Sequence, residues 1–168
     1  MTVQHHISCV RKIGFDAGHR VVNHESKCAN WHGHRYTAEI YACSDGLDEI
    51  GRVIDFSVIK ELVGGWIDKQ WDHNLIMFKD DPDFAKVAQL EGPKKPFILP
   101  VNPTAENMAA YLIDEVIPKL LVGTGVIVPK IRLWETPNCY VEVERFELHD
   151  GGKTHKRDDG VIEVHEEI

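Results

Sequence analysis

The sequence predicts one α+β domain in which two β runs, two helices and two further β runs follow in order, β-β-α-α-β-β. Three observations predict it. Residues 32–42 alternate strictly, with His32, His34, Tyr36, Ala38, Ile40 and Ala42 on one face and Arg35, Thr37, Glu39 and Tyr41 on the other. The stretches after Ser57 and after Thr104 carry apolar residues at helical spacing. Two more β runs, VIVPKIRLWET (126–136) and CYVEVERFEL (139–148), are joined by a Pro-Asn turn.

Taken in order, the first strand covers the run from Ile7 to Ala17, with Ile13, Phe15, Ala17 and then His19 sharing one parity. After the second strand, the turn SDGLDEIG (44–51) leads into an extended RVIDF, which reads as a hairpin. Ser57 is the expected N-cap of a helix bearing Val58, Ile59, Leu62, Val63, Trp66 and Ile67, weakened in its middle by Gly64 and Gly65. Residues 79–102, rich in Asp, Pro, Gly and Lys, read as an extended loop with one helical turn. Thr104 or Asn102 caps the second helix, whose stripe is Met108, Ala109, Leu112, Ile113, Val116 and Ile117. The catalytic unit is expected over 1–149. Residues 150–168 form a polar tail with six acidic and three basic residues, a formal −3, and read as a mobile appendage.

With 168 residues, 43% of them hydrophobic, the chain can bury a core without staples. Its formal charge of −8 argues against a nucleic-acid footprint but leaves room for a small anionic substrate held by a local basic cluster. No apolar run approaches the roughly 18 residues of a membrane span. The start, MTVQHHISCVRK, lacks a secretory layout, so a soluble cytoplasmic protein is expected. Cys9, Cys28, Cys43 and Cys139 form no C-x-x-C pair and are expected as free thiols.

His32 and His34 leave the same face of one strand, and Gly33 between them leaves the backbone free to bend. His19 ends the preceding strand, where hairpin pairing would set it opposite. Three imidazoles suit zinc and leave a fourth position open, the mark of a catalytic site. An isolated H-x-H is more often a surface pair without metal. Cys28, four residues before His32, is by itself a small hydrophobe, but beside a cation its thiolate becomes available as base or nucleophile. Asp72 next to His73 forms a proton relay only at an irregular turn; otherwise the histidine serves a helix end. Glu135 either leaves the core for water or accepts from an N–H-rich heterocycle such as a 2-amino-4-oxo pyrimidine. Pro103-Thr104-x-Glu106 alone reads as a helix cap.

Together these pieces carry more. Phe15-x-Ala17-x-His19, Cys28-x3-His32-Gly-His34, Asp72-His73-Asn-Leu, Pro103-Thr104-x-Glu106-Asn and Glu135-Thr, in this order over about residues 10–148, resemble the 6-pyruvoyltetrahydropterin synthase family. The resemblance implies the tunnelling fold, an antiparallel sheet with two helices on one face, whose subunits join sheet edges into an oligomeric barrel with active sites between them. It implies Zn2+ on His19, His32 and His34, and Cys28 as proton acceptor with Asp72 and His73 as its relay. It also implies that Glu135, helped by Thr104 and Glu106, grips the pterin ring. The implied substrate is 7,8-dihydroneopterin triphosphate. The short gap between Cys28 and His32 is similar to the bacterial carbon-carbon lyases that release acetaldehyde and form 6-carboxytetrahydropterin for queuosine synthesis. The alternatives are the pyruvoyl-forming reaction and a pterin-binding protein without catalysis. The long 79–102 segment and the acidic tail depart from the compact bacterial pattern.

Overall fold

The computed structural model describes residues 6–89, 92 and 94–146, together with the backbone of 153–156 and 162–165. Its centre is the antiparallel pair β1 (Ser8–His19) and β2 (His32–Cys43), in register along their whole length from Ser8 opposite Cys43 to His19 opposite His32. Next to β2 lie β5 (Ile127–Thr136) and then β6 (Cys139–Glu144), both antiparallel. On the other flank, β3 (Asn74–Phe78) and β4 (Phe97–Leu99) add in parallel, giving the order β4-β3-β1-β2-β5-β6. The sheet is therefore mixed, where the sequence reading expected an antiparallel one. β3 can approach β1 closely because Gly18 has no side chain: a Cβ there would sit 2.7 Å from Leu75 Cδ2.

Two long helices cover one face. The first, α1, runs from Phe56–Ile59 through a π-helical stretch, Lys60–Gly64, to Gly65–Gln70. Its cap is Asp55, two residues earlier than expected, whose carboxylate accepts from both the backbone and hydroxyl of Ser57 at 2.8 Å. The same carboxylate pairs with Arg52, and Asp48 gathers the backbone of Ile50 and Arg52, so RVIDF forms a capped turn rather than a strand. The one helical turn expected within 79–102 is α2 (Phe84–Val87), whereas β4 was not expected there. The second long helix, α3, runs from Ala105–Tyr111 through Leu112–Val116 to Ile117–Leu120. Pro118 offers no backbone donor to its last turn. Thr104 caps it, accepting from Asn107 N at 3.3 Å.

Between sheet and helices lies one core. Phe15, Tyr36, Ala38, Ile40, Ile131 and Leu133 from the sheet meet Ile59, Val63 and Ile67 of α1 and Met108, Leu112 and Ile113 of α3, all buried. Phe15 stacks on Tyr36 with ring centroids 5.1 Å apart. Each such side chain contributes about 1.5–3 kcal/mol by burial, so the helices hold the face from which the histidines emerge. The opposite face is a charged ladder in which Glu39 accepts from Lys12, Tyr41 and Trp134. Of the tail, the described backbone pairs β7 (Lys153–Lys156) with β8 (Ile162–His165); the rest of the segment expected to be mobile lies outside the described residues.

Candidate active site

The register of β1 and β2 builds the histidine cluster. With His19 opposite His32 and Ala17 opposite His34, three imidazoles share one end of the buried face, and their ring nitrogens lie within 4.8 Å of one another. His19 is 1% exposed and donates its Nδ1–H to Pro103 O at 2.7 Å. His32 donates its Nδ1–H to Asn30 O, also at 2.7 Å. A carbonyl can only accept, so in the neutral rings the proton sits on Nδ1 and Nε2 keeps its lone pair; that of His19 lies 3.2 Å from the Tyr36 hydroxyl. Burial pushes His19 down to about 4, and the neighbouring His32 and His34 push the same way against the pull of the Pro103 carbonyl. Burial also lowers His34. Neutral, pre-oriented imidazoles are the donor set that a borderline dication such as Zn2+ takes. Gly33 does not bend the strand as expected; it pairs regularly with Gly18, and a Cβ there would lie 3.0 Å from Ala17 O. The glycine supplies room between two ligands.

Cys28 sits on a 3-10 turn, Lys27–Ala29, within the β1–β2 connection. That loop is clamped at several points. Val21 N donates to Cys28 O at 2.9 Å. Asn102 accepts from Val22 N at 2.8 Å and donates to Val22 O at 3.0 Å, imitating a strand partner. Asn107 donates to Asn102 O at 2.8 Å, which ties the clamp to the start of α3. Arg20 pairs with buried Asp81 at 2.8 Å and with Asp83 at 2.9 Å, and lies 4.7 Å over the ring of Trp31. Half-buried Cys28 thus opens into a cavity of about 410 Å³ shared with His19, Thr104, Glu106, Glu135 and Cys139. Glu135 Oε1 stands 3.7 Å from His19 Nε2 and 3.8 Å from His34 Nε2. Asn102, Arg20 and Asp81 escape sequence reading because each acts on a residue more than 60 positions away; the NPT run at 102–104 was the available signal.

Asp72 and His73 do meet at an irregular turn, since His73 adopts a φ of 52°. Asp72 Oδ2 accepts from His73 Nδ1 at 2.7 Å, while its Oδ1 accepts from Asp16 N at 2.7 Å. Burial pushes Asp72 up, but the hydrogen bonds from Asp16 and His73 outweigh it and leave the carboxyl below its ordinary value. Lys94 Nζ fixes the turn from outside by donating to Asp68 O at 2.7 Å and Asp72 O at 2.6 Å. His73 of this pair borders a different cavity, about 880 Å³, with His32, His34 and Arg35 on its wall and without Cys28. One chain therefore joins Cys28, Thr104, Glu106 and Glu135 with His19 in one cavity and sets His73 with His32 and His34 in the other, so the cluster lies between the two.

The profile of the 6-pyruvoyl tetrahydropterin synthase family matches residues 8–145, which hold every one of these side chains. The chain belongs to that family. Among its curated relatives, a Rickettsia bellii protein named 6-carboxy-5,6,7,8-tetrahydropterin synthase is 45% identical over 82% of this chain and 99% of its own length. A synthase of the same name from Aquifex aeolicus is 33% identical over 76% of this chain and 91% of its own. Among solved structures, an uncharacterised Wolinella succinogenes protein superimposes with a TM-score of 0.74 at 22% identity, covering 85% of this chain and all of its own. The Caenorhabditis elegans 6-pyruvoyl tetrahydropterin synthase does so with a TM-score of 0.61 at 20% identity, covering 87% and 100%. These two share the fold, and the family's tunnelling fold is the one seen here.

Proposed function

We propose that this protein is a 6-carboxy-5,6,7,8-tetrahydropterin synthase. It converts 7,8-dihydroneopterin triphosphate into 6-carboxy-5,6,7,8-tetrahydropterin, acetaldehyde and triphosphate, in the cytoplasm, toward queuosine and related deazapurines. The observation that carries the reading is a cavity in which a free thiol, Cys28, and Glu135 meet His19, one of three clustered imidazoles. His19, His32 and His34 hold Zn2+, which when bound supplies Lewis-acid polarisation of substrate oxygens. Cys28 takes and returns the proton of the side chain under attack, held in place by the Asn102 clamp. Glu135, with Thr104 and Glu106 at the start of α3, accepts from the N–H groups of the pterin. His73, its Nδ1 held by Asp72, exchanges a proton at Nε2.

Because Cys28 and His73 border separate cavities, the working site takes the Asp72–His73 pair from a second copy. β4 and β6 end the sheet, and a homo-oligomer that joins such edges removes them from solvent. Residues 1–149 form the catalytic unit, and 150–168 are appended to it. A binding protein without catalysis needs neither the thiol nor the relay, which favours the enzyme. The relatives named carboxy-forming synthases, at 45% identity, and the short Cys28–His32 spacing favour C–C cleavage over the pyruvoyl outcome. Incubation with dihydroneopterin triphosphate tests this. The expected result is acetaldehyde, trapped by a hydrazine, in equal amount with a carboxypterin identified by mass. A product keeping all three side-chain carbons would place the protein in the pyruvoyl branch.

A further inference from the structure

His24 is an imidazole of the Cys28 loop that neither the metal set nor the proton relay uses. It lines the same cavity as Cys28 and Glu135, with its side chain 30% exposed. Its Nδ1 accepts from Ser26 N at 2.9 Å. A backbone N–H can only donate, so in the neutral ring the proton sits on Nε2, and the loop itself fixes that tautomer. Nε2–H has no partner among the described residues. The loop that orients it is the one closed by Val21 N on Cys28 O, so the donor is held in a constant relation to the thiol.

Beside His24, Glu106 and Glu135 bring two carboxyl groups to the wall of this cavity. A 2-amino-4-oxo ring presents N–H donors next to a carbonyl acceptor; the carboxylates satisfy the donors and leave the carbonyl in want of a hydrogen bond. Thr104 also lines the wall at the start of α3, where its oxygen accepts from Asn107 N and its hydroxyl keeps a proton to donate. Tyr140 lines the cavity too, with Arg132 4.5 Å over its ring and Trp134 at 4.5 Å. We propose that His24 is a substrate-binding and specificity residue whose Nε2–H donates to the 4-oxo oxygen of the pterin, selecting oxo over amino at that position. This rests on the pterin reading above.

The test compares binding of neopterin and of its 2,4-diamino counterpart to the metal-loaded, full-length oligomer and to three variants. His24→Asn keeps an acceptor for Ser26 N but lacks the outer donor; His24→Gln places an amide N–H near the Nε2 position; His24→Ala has neither. Alanine and asparagine should weaken neopterin about five- to tenfold and abolish the preference over the diamino compound, with glutamine restoring most of both. Metal content and thermal melting should stay unchanged in the asparagine variant. Neopterin binding by His24→Asn equal to the unaltered protein would overturn the proposal, because the ring would then serve only the Ser26 turn. Equal loss in all three variants would overturn it too, assigning His24 to shape. Neopterin ignored by the unaltered protein would instead sink the pterin reading itself.

Discussion

Replacing Asn102 by alanine removes both hydrogen bonds that pin Val22, at 2.8 and 3.0 Å, and with them the link between the Cys28 loop and the start of α3. Each bond contributes about 1 kcal/mol net, so the clamp is worth roughly 2 kcal/mol. Water can reach half-buried Val22 and replaces part of that, which makes the figure an upper one for global stability. Thermal unfolding should fall by about 4–8 °C. The local effect should be larger than the global one, because the loop loses a clamp while the core of Phe15, Tyr36 and Ile40 loses nothing. Turnover should drop about tenfold or more with metal retained, since a shift of about 1 Å in a proton acceptor costs rate before it costs binding. Asn102→Asp should behave alike, because a carboxylate keeps the acceptor for Val22 N but sets an oxygen against Val22 O. The assay is turnover beside the alkylation rate of Cys28, read by peptide mass so that exposed Cys139 is scored separately. Unchanged alkylation and unchanged turnover in Asn102→Ala would refute the clamp.

Gly33→Ala should press a Cβ to 3.0 Å from Ala17 O between two ligands, costing about 1–3 kcal/mol of stability and about tenfold in metal affinity, measured by competition with a chelator. Asp81→Asn should destabilise the fold by roughly 1–3 kcal/mol at neutral pH. Hydrogen bonding from Arg20 holds the Asp81 carboxyl below its ordinary value, so its contribution is full above about pH 4 and fades as pH falls through the depressed value; the difference between variant and unaltered protein in denaturant melts should therefore shrink in acid. A chain ending at residue 149 should keep its turnover in the same assay; loss of activity would give the acidic segment a role in the site.

What the sequence made legible were features with a short period or a short span. The alternation at 32–42 marked β2 and put both histidines on one face; the α3 stripe is buried whole, and of the α1 stripe Ile59, Val63 and Ile67 are buried while Val58, Leu62 and Trp66 are partly so. The motif order then supplied His19, Cys28 and Glu135. What stayed hidden depends on partners distant in the chain. β3 pairs with β1 through only two positions, and β4 is three residues long, so neither has a period to read. Asp55 took the cap from Ser57 because a carboxylate two residues earlier accepts from both the backbone and the hydroxyl of that serine. Gly33 read as a hinge, whereas the reason for it is the carbonyl of Ala17 on the next strand. Asp72 and His73 were visible as a pair only on condition of an irregular turn, and the positive φ at His73 supplies it.

The central claim is that the working site needs Cys28 from one copy and Asp72–His73 from another, since one chain sets them on two separate cavities. Complementation measures this directly. Cys28→Ala and His73→Ala proteins should each fold, bind metal and turn over almost nothing. Dissociated, mixed in equal parts and reassembled, they should recover about a quarter of the unaltered rate, the share of sites that receive one intact thiol and one intact relay in a symmetric assembly. A mixture as inactive as its parents, with mixed oligomers shown to have formed, would contradict the shared site.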